Sequence, residues 1–170
     1  TQVFRARIER RARTGGTQHV NIANPTTNGV VDSVGTPNNA LLAPMYAWNG
    51  VNQAFDRIRS AGMKVALLTR NSRTSMETVL KKYPLPFDLT WSRENGPIKP
   101  EPDGILRACK TLGIDPERTC CVGDFDHDIF AANAAGAVSI LLDGNHRCRA
   151  AGQADYVITH LEELAGILEI

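Results

Sequence analysis

The feature that most constrains this chain is the alternation, from residue 51 to residue 170, of short apolar runs with amphipathic segments. Residues 64–69, 119–124 and 138–143 read KVALLT, TCCVGD and VSILLD, while residues 51–62 and 127–137 have helical periodicity. Apolar strands that alternate with helices are typical of a parallel sheet covered on both faces. The sequence therefore predicts an α/β fold with a doubly wound parallel sheet.

Length and composition fit one globular domain. The chain has 170 residues, of which 42% are hydrophobic and 22% are charged, so it can bury a core without disulfides. Its longest apolar runs are too short to cross a bilayer, which predicts a soluble protein without a transmembrane segment. The four cysteines have no CxxC spacing, and we expect them to be reduced in an intracellular compartment, either mitochondrial or cytoplasmic.

Charge is distributed unevenly along the chain. Residues 1–24 contain five arginines and one glutamate, whereas residues 25–170 contain 14 basic and 17 acidic side chains. The basic arm, residues 1–16, has two interpretations: an ordinary solvated terminus, or a segment that binds an anionic partner such as RNA, a membrane surface or an acidic protein. The predicted organisation is an arm and linker at residues 1–27 and an α/β domain at residues 28–170. Because the chain starts at Thr1, we also expect an upstream piece, either a cleaved targeting peptide or a truncated segment.

Polar side chains follow the predicted strands at the point where each strand ends. Thr69 ends one strand, Asp124 ends another, Asp128 lies on the next helical turn, and Lys99 follows a proline-rich turn. Ligands of doubly wound sheets bind beyond the carboxyl ends of the strands. Two carboxylates, a lysine and a hydroxyl at that edge suit Mg²⁺ together with a phosphate group. The sequence therefore predicts a site for a phosphorylated small molecule.

Three segments resemble the second, third and fourth signature motifs of the haloacid dehalogenase superfamily, whose members are mostly Mg²⁺-dependent phosphatases. These segments are LLTRNS, PIKPEPDGIL and CCVGDFDHD, and the resemblance extends over residues 50–168 in the right order. It implies a Rossmann-like core. It also implies that Thr69 binds the phosphate, that Lys99 holds the nucleophile and the phosphate, and that Asp124 and Asp128 support the metal.

Neighbouring residues give weaker indications. Arg70 and Asn71 follow the motif threonine and are candidates for substrate binding, although the polarity of an ordinary loop accounts for them equally well. Asp126 and His127 lie between motif positions, and we expect both to face solvent.

The first motif of the family, DxDG[TV], is matched incompletely. The candidate is GVVDSVGT at residues 29–36, in which Asp32 takes the place of the nucleophile and first metal ligand. Val34 stands where the family has the aspartate that protonates the leaving group. Two hypotheses follow: residues 29–33 form the central strand with a degenerate motif, or the true motif lies upstream of Thr1. The first is favoured, because the second would leave the middle of the sheet without a strand. Residues 36–49 then leave room for little or no cap domain.

Two functions are compatible with these observations. The first is a Mg²⁺-dependent phosphohydrolase that acts on a small phosphorylated metabolite or nucleotide and is impaired by Val34. The second is a non-catalytic subunit of a larger assembly, such as a mitochondrial ribosome or another organellar complex, held through the basic arm.

Val34→Asp tests the assignment of the first motif. If Asp32 is the nucleophile, restoring the acid should raise the turnover of alkyl phosphates, since a general acid contributes about 10²- to 10⁴-fold. Val34→Asn is the matched control, because asparagine has the size of aspartate but cannot act as a general acid. Phosphate release is measured for wild type and both variants, and equal rates for Val34→Asp and Val34→Asn would contradict the assignment.

Overall fold

The computed structural model describes residues 45–143 and 148–170, and the backbone alone for residues 45–50. The basic arm, the domain boundary expected near residue 28, Asp32 and Val34 lie outside the described residues, as does most of residues 36–49. Those expectations therefore remain predictions.

The described part of the chain contains five α-helices and five strands, which alternate as far as β4; a 3-10 turn at Arg149–Gln153 separates β4 from β5. The helices are α1 (Met45–Ser60), α2 (Arg73–Lys82), α3 (Asp103–Leu112), α4 (Asp126–Ala135) and α5 (Leu164–Ile167). The strands are β1 (Ala66–Leu68), β2 (Leu89–Trp91), β3 (Cys120–Gly123), β4 (Val138–Leu142) and β5 (Tyr156–Ile158). The segment LEELAGILEI predicts a closing helix over residues 161–170, but a 3-10 turn at Leu161–Glu163 precedes α5, which is therefore shorter.

All the strand pairings between described residues are parallel. β1 pairs with β2 in the register Leu67 to Thr90, and β4 lies between β3 and β5 with Ile140 opposite both Val122 and Tyr156. The described strands thus form a two-stranded and a three-stranded sheet. The predicted parallel α/β architecture is confirmed, whereas the central strand proposed at residues 29–33 lies outside the described residues.

Helices pack on both faces of the strands. On one face, α3 and α4 contribute a cluster of small and aliphatic side chains, on which Leu68 of β1 and Cys121 of β3 both pack. The two sheets therefore share one core. On the other face, Val138 and Ile140 of β4 pack with Leu164 of α5 and with Ile58 of α1. This two-sided burial explains why the strand residues are almost uniformly apolar.

The helix ends follow local sequence signals. Serine and threonine are preferred helix caps, which predicts Ser72 or Thr74 as the cap of α2. The Oγ of Ser72 accepts a hydrogen bond from the Ser75 N–H at 3.2 Å, so Ser72 is confirmed. Gly113 ends α3 in the left-handed conformation with φ at 68°, which costs glycine less than any other residue. A 3-10 turn at Pro116–Arg118 then leads from the end of α3 to β3.

Two further expectations concern membranes and cysteines. No helix between residues 45 and 143 or between 148 and 170 combines the length and apolar character needed to cross a membrane. The four cysteines are free thiols, in agreement with the absence of CxxC spacing.

Ile140→Ala tests the role of β4 as the centre of the core. Ile140 is 0% exposed, and truncating such a side chain should lower the free energy of unfolding by about 2–5 kcal/mol. Leu106→Ala is the control, because Leu106 is 42% exposed on α3 and its loss should cost about 0.5 kcal/mol or less. Urea denaturation monitored by circular dichroism measures both, and equal losses would contradict the burial.

Candidate active site

Polar side chains converge beyond the carboxyl ends of β1 and β3. Thr69 follows β1 directly and Asp124 follows β3, while Lys99 lies in the loop before α3 and Asp128 in the first turn of α4. Parallel strands with a common direction place these loops at one edge. The structure thus brings Thr69, Lys99 and Asp128 into one region, as the motif order predicts.

Lys99 and Asp128 form the central contact of this region. The Lys99 Nζ lies 2.5 Å from the Asp128 Oδ1, and it also donates to the backbone oxygen of Leu68 at 3.0 Å. The Asp128 side chain is 5% exposed, and its Oδ2 accepts from the Phe125 N–H at 3.1 Å. A buried carboxylate requires this kind of pairing, because an uncompensated charge in the interior is costly. Lys99 is thereby fixed against the last residue of β1.

Gly123 makes the position of Asp128 possible. A Cβ built on Gly123 would overlap the Cβ and carboxyl group of Asp128. The absence of a side chain at the end of β3 thus lets α4 begin close to the strand, with its carboxylate facing Lys99. The glycine of the GDFDHD segment has a packing role that the motif alone does not reveal.

The loop after β1 is ordered by its own polar groups. Thr69 N–H donates to the Trp91 backbone oxygen at 2.9 Å, which extends the β1–β2 pairing by one residue. The Thr69 Oγ1 accepts from the Asn71 N–H at 3.1 Å, and the Asn71 backbone oxygen accepts from the Arg93 N–H at 3.1 Å. Since the Thr69 oxygen already accepts, its hydroxyl hydrogen is directed to other acceptors, such as a phosphate oxygen.

Arg70 projects from the same loop toward α4. Its Nη1 lies 3.4 Å from the Nδ1 of His127, and the His127 ring stacks on Phe125 with ring centroids 5.5 Å apart and an interplanar angle of 16°. Partial burial lowers the pKa of His127, with Arg70 and Lys99 acting in the same direction against the carboxylate of Asp128. The imidazole lies between the cation of Arg70 and the buried ion pair of Lys99 with Asp128.

Asp126 has a structural role. Its Oδ1 accepts from the Cys148 Sγ at 2.8 Å and from the Ala150 N–H at 3.1 Å, which ties the start of α4 to the 3-10 turn at Arg149–Gln153. These two donors hold the pKa of Asp126 below its usual range. Asp126 and His127 are both partly buried with specific partners, so the expectation that they face solvent is wrong.

The cysteines near the site are poor nucleophiles. Burial raises the pKa of Cys120 to about 11 and raises that of Cys121 further, while burial and the hydrogen bond to Asp126 raise the pKa of Cys148 to about 11. Thiolates are the reactive form of cysteine, and these thiols stay protonated at neutral pH. Chemistry at this edge therefore depends on carboxylates, hydroxyl and ammonium groups.

The donors for a metal ion are unequal. Carboxylate oxygens are what Mg²⁺ prefers, and Asp124 at the end of β3 provides them. Both oxygens of Asp128 are already engaged, by Lys99 and by the Phe125 N–H, so direct ligation would displace one of them. No cluster of three or more histidine, cysteine or acidic side chains suited to a metal occurs within residues 45–143 and 148–170. Asp32, the third predicted ligand, lies outside these ranges.

A cleft opens beside Lys99. It is a shallow surface groove lined by Leu68, Thr69, Trp91, Pro97, Ile98, Lys99, Glu101 and Gly104. The cleft places a mainly apolar wall next to the ammonium and hydroxyl groups. A small organic group attached to a phosphate could contact this wall.

Comparison with known proteins decides the family. The model of the haloacid dehalogenase-like hydrolases matches residues 2–136. The chain belongs to this family.

Other members of the family are similar over most of the chain. A haloacid dehalogenase-like hydrolase domain-containing protein of Arabidopsis thaliana is 32% identical over 117 residues, 65% of this chain and 48% of that protein. The pyrophosphatase PpaX of Bacillus mycoides is 29% identical over 69% of this chain and 58% of its own length. The crystal structure of CbbY from Rhodobacter sphaeroides in complex with phosphate superposes with a TM-score of 0.63 at 25% identity, over 71% of this chain and 58% of that one. The chain thus spans about half the length of these haloacid dehalogenase-like relatives.

The structure adds contacts that sequence reasoning missed. The motifs indicated Thr69, Lys99, Asp124 and Asp128, but not the Phe125–His127 stack. The polarity of Arg70 was noted in the sequence, yet its contact with His127 joins residues 57 positions apart. A contact between the loop after β1 and the loop after β3 produces no periodicity in the sequence, so the sequence could not have revealed it.

Gly123→Ala tests the packing of β3 against Asp128. The added methyl group must displace the carboxylate or the strand, and overpacking of this kind should cost about 1–3 kcal/mol of stability. Gly166→Ala is the matched control, because a Cβ there meets no atom within 4 Å. It should lower the free energy of unfolding by about 0.5 kcal/mol at most, or raise it. Urea denaturation compares the two, and a neutral Gly123→Ala would disprove the close approach.

Proposed function

We propose that this domain is a Mg²⁺-dependent phosphohydrolase for a small phosphorylated metabolite or nucleotide, with turnover limited by the valine at position 34. The observation that carries the proposal is the ion pair of Lys99 with Asp128, which fixes an ammonium group beside the Leu68 backbone oxygen and Thr69. A fixed ammonium next to a hydroxyl donor is suited to a phosphoryl group, whose charge it neutralises.

The residues of this chain have distinct roles in the proposed reaction. The Asp32 carboxylate attacks phosphorus, the bond to the leaving oxygen breaks, and water then hydrolyses the aspartyl phosphate. Thr69 donates its hydroxyl hydrogen to a phosphoryl oxygen, and Lys99 neutralises charge on the same group. With valine at position 34, the leaving oxygen must take its proton from water, which favours substrates with good leaving groups.

Mg²⁺ fits this set of residues. Asp124 would hold it together with Asp32, whereas Asp128 would act through Lys99, since the oxygens of Asp128 are engaged. When bound, the ion would supply further neutralisation of the transferring phosphoryl group.

The relatives support the type of reaction. One of them is named a pyrophosphatase, and a similar structure contains bound phosphate. Pyrophosphate releases phosphate, a good leaving group that needs little acid assistance, which suits a chain with valine at the acid position. We therefore propose a phosphoanhydride or an activated phosphoester as the substrate.

The alternative function, a non-catalytic subunit of an organellar assembly, depends on the same valine and on the basic arm. Both lie outside the described residues. In that case the arm would bind RNA or an acidic protein, and the phosphate site would be a remnant.

Phosphate release from pyrophosphate and from para-nitrophenyl phosphate tests the proposal. With Mg²⁺ present, wild type should release phosphate slowly from both, and Asp124→Asn should reduce the rate by about 10²- to 10³-fold, the loss typical of one electrostatic stabiliser. Glu117→Gln is the control, because Glu117 is an exposed acid in the turn before β3, at the opposite edge of the sheet.

The same assay separates the two functions. Lys99→Met with Asp128→Asn removes both charges of the ion pair, so that no buried charge is left unpaired, and it should also abolish release. Equal rates of phosphate release for wild type and Asp124→Asn would contradict the phosphohydrolase proposal. If wild type releases phosphate from neither substrate, the phosphohydrolase proposal is also contradicted, and the non-catalytic subunit remains as the function.

A further inference from the structure

The cluster formed by Arg70, His127 and Phe125 borders the phosphate site without belonging to the predicted motif positions. Arg70 is exposed and directly follows Thr69, while Phe125 is 50% exposed and directly follows Asp124. The His127 ring lies between them, in contact with both. The cluster therefore joins the loop after β1 to the loop after β3, on the solvent side of Lys99 and Asp128.

The contacts of the imidazole determine its orientation. A guanidinium group has donors and no acceptor, so the Nδ1 of His127 accepts from the Arg70 Nη1 and the proton lies on Nε2. Nε2 in turn faces the Asp128 Oδ1 at 3.7 Å. With Phe125 against one face of the ring, His127 has neighbours on three sides and offers the guanidinium group an acceptor.

The charge of Arg70 is not compensated within the described part of the chain. Arg59 pairs with Asp88 and Arg93 pairs with Glu94, but between residues 45 and 143 and between 148 and 170 no carboxylate forms an ion pair with Arg70. Its hydrogen-bond partner there is the His127 imidazole, which takes one of its five N–H donors. A guanidinium group held in place with most of its donors exposed is suited to a planar or tetrahedral anion.

We propose that Arg70, positioned by His127 and Phe125, binds a second anionic group of the substrate, on the leaving-group side of the phosphoryl group that Lys99 and Thr69 hold. This inference rests on the proposed function and specifies its substrate class: a phosphoanhydride, or a phosphoester whose leaving group carries a phosphate or carboxylate. The acidic side chains Asp124 and Asp126 would repel such a group elsewhere at this edge, so Arg70 also selects its orientation.

Binding of two phosphonates to the full chain in the presence of Mg²⁺ tests the proposal without any turnover. Phosphonoacetate has a second anionic group, and ethylphosphonate has a similar size without it. Isothermal titration calorimetry should show wild type binding phosphonoacetate about tenfold to a hundredfold more tightly, the range expected for one charge-assisted hydrogen-bonded pair. Arg70→Gln should bind the two ligands about equally.

Matched variants separate a specific contact from overall charge. Arg118→Gln removes one positive charge from an exposed arginine in the turn before β3, and it should retain the preference. His127→Asn keeps an acceptor near the position of Nδ1 and should retain it as well, whereas His127→Leu should reduce it. Thermal unfolding of each variant verifies that the fold is intact.

Each contrary result overturns the assignment of Arg70. Equal affinities of the two phosphonates for wild type, an undiminished preference in Arg70→Gln, or no binding of either ligand would each do so. Phenylphosphonate binding as tightly as phosphonoacetate would show that Phe125 selects an aromatic leaving group instead. An Arg70-dependent preference in a chain that releases no phosphate would refute the proposed hydrolysis and leave the anion site standing.

Discussion

The ion pair between Lys99 and Asp128 is the interaction on which the arrangement of the site depends. The carboxylate is almost completely buried, and its charge is tolerated because an ammonium group and a backbone N–H surround it. Through the Leu68 backbone oxygen, Lys99 also links the end of β1 to the start of α4. Removing one partner alone would leave a buried charge unpaired, at a cost of about 3–5 kcal/mol, so the same contact stabilises the fold and places the ammonium group.

This engagement divides the two motif aspartates by function. Asp124 ends β3 and has carboxylate oxygens suited to a hard cation, whereas Asp128 is committed to Lys99 and to the helix start. If the proposed Mg²⁺ site is correct, the two aspartates would support the metal in different ways: Asp124 by ligation, and Asp128 by orienting Lys99. Gly123 enforces the distinction, since any side chain there would push Asp128 away from Lys99.

Sequence reasoning was most successful where a residue is tied to the end of a strand or the start of a helix. Thr69, Asp124 and the Ser72 cap are of this type, because apolar runs and capping residues fix their place locally. It failed for Asp126 and His127, whose partners, Cys148 and Arg70, lie 22 and 57 residues away. Because Asp126 and His127 lie between motif positions, they were expected to face solvent. Tertiary packing instead brings each side chain against a loop from a distant part of the chain.

The groups that we propose hold the phosphoryl group lie in the described part of the domain, but the proposed nucleophile and the position of the missing acid belong to residues 29–36. In the proposed reaction, binding and turnover are therefore separable: Thr69, Lys99 and Asp124 would act on a phosphate whether or not Asp32 attacks it. A valine at the acid position would leave phosphate binding intact. It would lower the turnover rate by the factor that a general acid contributes, about 10²- to 10⁴-fold. A leaving group that is itself a phosphate departs as a stable anion and needs the least help from a general acid. The proposed anion site at Arg70 and the valine at position 34 therefore favour the same class of substrate, a phosphoanhydride.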